Sequence, residues 1–457
     1  GCPAQAIEWS PATSPQGTLS PTTGPSTTFT PSSTPGTLTI TAQDATAGSP
    51  LATSVPIAVE HEIKPFEVTF SGVSYHEVKD DLGAGYAAPH WQDNSSPPNG
   101  TGTDAGDHRF PISFTAGSKI SLSAKLRITP TPANGTDIRV RALGPGFDFP
   151  AQVATISNGQ LLYPLAEATA TLGTGVGFLN PMVLNWQVST DGGSTWRSVG
   201  QTGNRVYITL SDPLATTLYE TILDIGARNA AGAATAASAV TAIWADFLGP
   251  IPGVQRKVRD GFNQNDSVAM RYWLDTSDTN LAAVSGTCQL LSAMLDPTRE
   301  AAFNGVGTCV AWSMLFDAVL KAQGISGSER YQVRANTAIY PNASLMLVKN
   351  WTFSGTGTAP AECAPFNYLA SEIADAPGAP GQGIGNPPPA FFNHFIVKYD
   401  GKWYDPSYGS GPYANDSAWE NASLDGLTAV CETSGGGQIN VAKKNNTSTV
   451  ETSFEAQ

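Results

Sequence analysis

The chain has 457 residues, 46 of them Gly and 34 Pro, with only 14% charged and a formal net charge of −14. That length predicts two to four domains, and so few charged residues exclude a coiled coil or long-helix protein. The acidic balance excludes a nucleic-acid binder, which must neutralise phosphates, and no apolar run reaches the roughly eighteen residues of a membrane span.

The chain begins Gly1-Cys2, and a Pro/Ser/Thr-rich run follows from Ser10 to Pro35. Such a composition buries little apolar surface, so residues 1–36 are expected to form an extended tether. Tethers of this kind suit a secreted or cell-surface protein. If the chain is the trimmed form of a bacterial precursor, Cys2 is the candidate for lipid anchoring; an ordinary start is the alternative.

From Thr37 the pattern changes to short alternating segments bounded by Gly, Pro, Asn or Asp. Strands are predicted at Thr37–Thr41, Val55–Glu62, Glu67–Ser74, Ile112–Thr115, Lys119–Ile128, Asp137–Ala142, Val183–Ser189, Arg205–Leu210 and Tyr219–Ala227. This is the pattern of all-β sandwiches. It is read as a β-rich module over 37–116 and an immunoglobulin-like sandwich over 117–245, with one large sandwich as the open alternative. His61, His76, His90 and His108 fall in this region away from any cysteine and are read as structural or solvent-exposed, with metal binding by His90 and His108 beside Asp93, Asp104 and Asp107 as the alternative. Ser189 to Trp196 fits the pattern S-x-D-x-G-x-T-W and resembles the Asp-box. The resemblance implies a hairpin turn in which Asp191 ties down loop amides and Trp196 packs beneath. A single copy argues against a propeller.

Around Ile243–Pro252 the pattern changes again. Asp266–Asp275 and Leu290–Asn304 read as helical or mixed, and Cys309–Gln323 is the clearest helix, with Val310, Leu315 (or Met314), Ala318 and Val319 on one stripe and a stop at Gly324. A Gly/Pro/Ala-rich insert between Ser354 and Pro389 is long enough to be an active-site cover. The five cysteines show no metal-ligand spacing, so neither metal nor cofactor is expected. A Cys363–Cys431 disulfide is left open.

Cys309 carries the chemistry. A Gly-rich turn delivers it to the first turn of an apolar helix, where orphan N–H groups and the helix dipole favour a thiolate, the nucleophilic form. His394 and Asp405 follow much later, flanking Asp400-Gly401, a strong hairpin turn. With Tyr399 opposite Lys402, His394 and Asp405 become diagonal neighbours on one sheet face, about 7–8 Å apart at the backbone. Asp405 can then accept Nδ1–H and leave Nε2 for the thiol. Trp312, Asn393 and Gln289 are candidates for a second oxyanion donor or a pocket wall.

Gly307-Thr-Cys309-x-x-Trp312, His394 on a strand and Gly401-Lys-Trp403-Tyr-Asp405-Pro406 together resemble the transglutaminase-like superfamily of cysteine acyl-transfer enzymes. The resemblance covers roughly the last 200 residues. It implies an α+β domain over 246–457 in which a papain-like helix packs on an antiparallel sheet, with Cys309 as nucleophile, His394 as base and Asp405 as orienting acid. One departure is His394-Phe-Ile396-Val-Lys398 where the family commonly has His-x-Trp-x-Glu. The expectation is a multidomain, secreted or tethered thiol enzyme acting on a protein or peptide substrate. Hydrolysis is preferred to cross-linking, and an adhesion protein with an inactive thiol domain is the competing class.

Overall fold

The computed structural model describes residues 7–32, 34, 36–45, 52–131, 136–249, 254–258, 265–273, 288–340, 343–348, 352–353, 368–369, 373–374, 380–385, 387–388, 390–433, 436–443 and 450–457. The protein is β-rich and multidomain, with 46% of residues in strands and 14% in helices. Among the described residues no helix is long and apolar enough to cross a membrane. Cys2 and Cys363 lie outside the described residues.

The stretch expected as a tether is folded. Ile7–Ser10 pairs antiparallel with Gly36–Asp44, which pairs in turn with Ala52–Val59. Thr13–Ser14, Gly17–Ser20 and Thr28–Pro31 form a second three-stranded sheet. Leu19, Leu38 and Ile40 are buried, and Trp9, Phe29 and Ile57 pack against them. Composition hid a period of two: Thr18-Leu19-Ser20 and Thr28-Phe29-Thr30 alternate, and threonine is a good strand former.

A single sandwich follows. One six-stranded sheet has Glu62–Ser71, Ser121–Thr129 and Gln160–Glu167 at its centre; the other has Arg139–Leu143, Gly177–Ser189, Arg197–Thr209 and Pro111–Thr115. One core runs from Ile63 to Ile208 and includes Trp91, Phe114 and Trp186 from both sheets. The expected division at 116/117 therefore cuts a shared core, because Pro111–Thr115 lies parallel beside Arg197–Thr209. The Asp-box is a closed turn: Asp191 accepts from the backbone N–H of Ser194 and Thr195 and from the Thr195 hydroxyl. The Arg141 guanidinium lies 4.1 Å over the Trp196 ring.

Tyr219–Ala227, expected as a strand, is instead the start of a helix, Glu220–Asn229. The alternation of Tyr219, Thr221, Leu223 and Ile225 imitates a strand, but the helix buries every residue from Glu220 to Ala227. A helical spacing is present, with Ile222, Leu223, Ile225 and Ala227 on one face and Glu220, Asp224 and Arg228 at four-residue intervals on the other, but the alternation masks it. A second helix, Ala236–Phe247, starts at Thr235, whose hydroxyl and that of Ser238 form a capping box. Both helices share one core with Cys309–Ala322. The unit that holds Cys309 therefore begins near Leu218, and the expected start at 246 falls inside it. Asn265–Ala269 is a strand paired with Gln255–Val258, and only Leu291–Leu295 is helical within the Leu290–Asn304 stretch.

The Cys309–Ala322 helix packs on a five-stranded antiparallel sheet ordered Ser410–Tyr413, Lys402–Asp405, His394–Tyr399, Glu329–Ala335 and Thr452–Ala456. The sandwich is fastened to this unit by buried polar contacts. Asp81 accepts from the backbone N–H and hydroxyl of Thr221, at 3.1 and 2.6 Å, in the first turn of the Glu220–Asn229 helix. The Glu220 carboxylate takes both the Arg205 guanidinium and the Tyr86 hydroxyl.

Candidate active site

Two glycines prepare the start of the thiol helix. Gly305 has φ of +73°, and a Cβ on Gly307 would lie 2.6 Å from Met294 Sδ. Thr308 is the extended cap residue, and its N–H donates to Cys288 O at 2.9 Å. Cys309 is the first helical residue, so its N–H is one of the four that a helix start leaves without an intrahelical partner. Leu315, Phe316, Val319 and Leu320 anchor the helix in the core. Phe316 meets Trp244 and Tyr404 in edge-on and tilted contacts, at 5.1 and 5.4 Å between ring centres.

The hairpin register is the one the turn dictates: Tyr399 opposes Lys402, Lys398 opposes Trp403 and Val397 opposes Tyr404. Asp400 and Gly401 both have positive φ, +47° and +73°, as a two-residue turn requires. His394 and Asp405 end on one face and are hydrogen-bonded, Nε2 to Oδ2, at 2.9 Å. The roles of the two ring nitrogens are the reverse of those expected: Nε2 faces the carboxylate, and Nδ1 remains for the thiol.

Nδ1 is buried and makes no hydrogen bond of ordinary geometry among the described residues. Cys309 is among the groups that raise the His394 pKa. Burial pulls the His394 pKa down, but the charge and hydrogen bond of Asp405, followed by Cys309, outweigh it, and the net direction is upward. Asp405 moves the opposite way. Burial would raise it, but His394, Ser407 and Trp419 hold it below the usual carboxylate range. Ser407 Oγ donates to Oδ1 at 2.9 Å and the N–H of Tyr408 donates to the same atom at 3.3 Å.

The expected pocket residues divide. Trp312 is fully buried and spends its indole N–H on Arg271 O at 3.3 Å, so it is a core residue and a poor oxyanion donor. Asn393 is half-buried beside His394, and Gln289 is exposed in the turn after Cys288. Two donors that the sequence reading missed lie on the segment Arg271–Trp273. The N–H of Trp273 donates to Gly307 O at 2.9 Å, two residues before Cys309. Its indole Nε1 is buried and makes no ordinary hydrogen bond among the described residues, and the buried Tyr272 hydroxyl interacts with Tyr408, whose ring centre is 5.1 Å away. Trp273 also has φ of +64°, a strained conformation for a bulky side chain. The Tyr272 phenol is pushed well above its ordinary pKa by burial, then by Tyr408, Cys309 and Asp405, and stays a neutral donor. A Tyr-Trp pair with no amphipathic context gave no sequence signal beyond two aromatics.

The site is closed. Cys309 is 4% exposed and His394 and Asp405 are each 1% exposed. Part of the Gly/Pro/Ala-rich insert is docked beside them: Gln382 O accepts from Tyr272 N–H, Gln382 N–H donates to Ser407 O, and its side-chain amide donates to Phe247 O. Tyr408, 5.6 Å from the His394 ring, is also one wall of a cavity of about 230 Å³ that includes Pro380 and Tyr413.

The histidines of the sandwich have structural partners. His90 Nδ1 accepts from Phe70 N–H, Nε2 meets the Tyr75 hydroxyl at 2.9 Å, and burial lowers its pKa to about 4. Among the described residues no group of three or more His, Cys, Asp or Glu side chains is placed to hold a metal ion. No family model matches the chain, and no curated protein matches it.

Proposed function

We propose that the chain is a thiol acyl-transfer enzyme with a transglutaminase-like catalytic unit, acting on a peptide or carboxamide bond of a protein substrate. The observation that carries this reading is the buried His394–Asp405 hydrogen bond, with Nδ1 left without a partner among the described residues and Cys309, at a helix start, among the groups acting on the ring. The upward direction of the His394 pKa favours an imidazolium at neutral pH, the partner a thiolate needs.

In the proposed cycle Cys309 Sγ attacks the carbonyl carbon, and the C=O electron pair moves to oxygen. The Cys309 N–H, with Trp273 Nε1 or Tyr272 Oη, supports the oxyanion, and each such donor is worth about 3 kcal/mol. The tetrahedral adduct collapses by breaking the C–N bond as His394 passes its Nδ1 proton to the departing amine. A thioester remains. Neutral His394 then takes a proton from water or from a primary amine as that nucleophile attacks. Breaking the C–S bond returns the electron pair to sulfur, restores the thiolate–imidazolium pair and releases an acid or a new amide.

Hydrolysis is the preferred outcome, carried by a cysteine peptidase or amidase; cross-linking is the alternative acyl fate. The near-complete burial of Cys309 favours a second reading, an adhesion protein whose thiol unit is an inert scaffold. The test is incubation with a mixture of glutamine-containing peptides, with and without a dansylated primary amine, followed by mass spectrometry. Cleavage or a one-mass-unit deamidation supports hydrolysis, and a dansylated peptide supports transfer. Neither product, with Cys309 unmodified by a peptidyl chloromethyl ketone, favours the scaffold.

A further inference from the structure

We infer that Trp419 is a positioning residue for the His394–Asp405 pair, and that Glu420 beside it ties this positioning to the C-terminal strand. The inference rests on the proposed role of His394 and Asp405 and adds to it. Asn415 starts the short Asp416–Ser423 helix by accepting from Ala418 N–H at 2.7 Å. That helix presents Trp419, 1% exposed, to the site. The indole Nε1–H donates to Asp405 Oδ2 at 3.2 Å, the same oxygen that meets His394 Nε2. The indole plane also lies nearly parallel to the imidazole, 13° apart with ring centres at 6.0 Å. One side chain thus fixes the carboxylate by a hydrogen bond and the ring by stacking.

Glu420, the next residue, faces the other way. Its buried carboxylate accepts from the backbone N–H of Glu451 and Thr452 and from the Thr452 hydroxyl, at 2.6–3.0 Å. Those residues lead into Thr452–Ala456, the strand beside Glu329–Ala335, which itself pairs with the His394 strand. Phe454 on that strand meets the Trp419 ring edge-on, with centres 5.8 Å apart. The C-terminal strand therefore backs the indole that backs the pair.

The other groups that act on Asp405 are accounted for. His394 comes from the neighbouring strand, and Ser407 and the Tyr408 N–H come from the following turn. Tyr272 and Tyr408 are neutral phenols held well above their ordinary pKa by burial first, and Cys309 completes the set. The Trp419 donor is one of four on a carboxylate with nowhere else to turn.

The test compares Trp419→Phe, which keeps a stacked ring and removes the N–H, with the parent in the full chain. Selectively labelled aspartate and histidine let NMR follow the Asp405 carboxyl and the His394 ring directly, whether or not Cys309 is reactive. Losing one of four donors is expected to move the acid titration of Asp405 up by about one pH unit. In parallel the acid limb of Cys309 alkylation moves the same way. Glu420→Gln is expected to raise amide exchange at Thr452–Ala456 and broaden the His394 resonance while the sandwich signals stay fixed. An Asp405 titration that is unchanged in Trp419→Phe would reduce Trp419 to a space-filler and overturn the inference. An inert Cys309 with a shifted Asp405 would instead defeat the proposed activity and leave the positioning role standing.

Discussion

Arg205→Met tests the fastening between the sandwich and the thiol unit. Arg205 and Glu220 are each 2% exposed at the side chain, and the Tyr86 hydroxyl is the other donor on the carboxylate. Removing one member of a buried pair leaves the other uncompensated and costs about 3–5 kcal/mol. Tyr86 still donates to Glu220, which places the expected loss near the lower end, about 3 kcal/mol. Burial already raises the Glu220 pKa against the opposing pull of Arg205 and Tyr86. Without Arg205 it rises further, so the loss should be full at pH 8 and shrink as the pH falls and Glu220 gains its proton. Adding Glu220→Gln removes the stranded charge but keeps an acceptor for Tyr86, and most of the loss should return. Native-state amide exchange of Ile222–Ala227 reads this locally in a chain too large for two-state unfolding. A loss under about 1 kcal/mol, or no recovery in the double variant, would refute the claim that this pair stabilises the junction.

Asp81 gives a pH-dependent prediction at the same junction. Burial, opposed by the Thr221 hydrogen bonds, raises its pKa to about 7. A carboxyl whose folded pKa exceeds its unfolded value of about 3.9 loses stability as the pH rises between those values. Asp81→Asn should therefore gain on the parent between pH 5 and pH 8 in the native-state amide-exchange protection of Ile222–Ala227; an advantage that stays constant with pH would contradict the assignment. At the candidate site, Asp405→Asn removes the charge that holds the imidazole pKa up. Its Cys309 alkylation rate near pH 6 should fall tenfold or more, about 1.4 kcal/mol in the barrier. Ser407→Ala, which removes one of the donors on Asp405, should cost less.

Much of the site was legible because it depends on local rules. Asp400-Gly401 specifies a two-residue turn, the turn fixes the register, and the register brings His394 and Asp405 together. The glycines before Cys309 and Gly324 after it bound the helix in the same way. What the register does not determine is which ring nitrogen meets the carboxylate, since a rotation about χ exchanges them. Trp419, Tyr272 and Trp273 escaped for a different reason: each reaches the site from another element, and an aromatic in sequence reads as core. The fold was legible where strands alternate against a polar face. It failed at Glu220–Asn229, where a strand-like alternation masks the helical spacing of Ile222, Leu223, Ile225 and Ala227, and at Ile7–Pro31, where composition outweighed alternation.

The central claim is that Cys309 and His394 form one charged pair, and the rate of Cys309 alkylation by iodoacetamide against pH tests it most directly. The raised imidazole pKa predicts fast alkylation that persists well below pH 7 in the parent and is lost in His394→Ala. A rate that appears only near pH 8.5 in both proteins, as for an ordinary thiol, would contradict the account and leave the closed thiol unit as a scaffold.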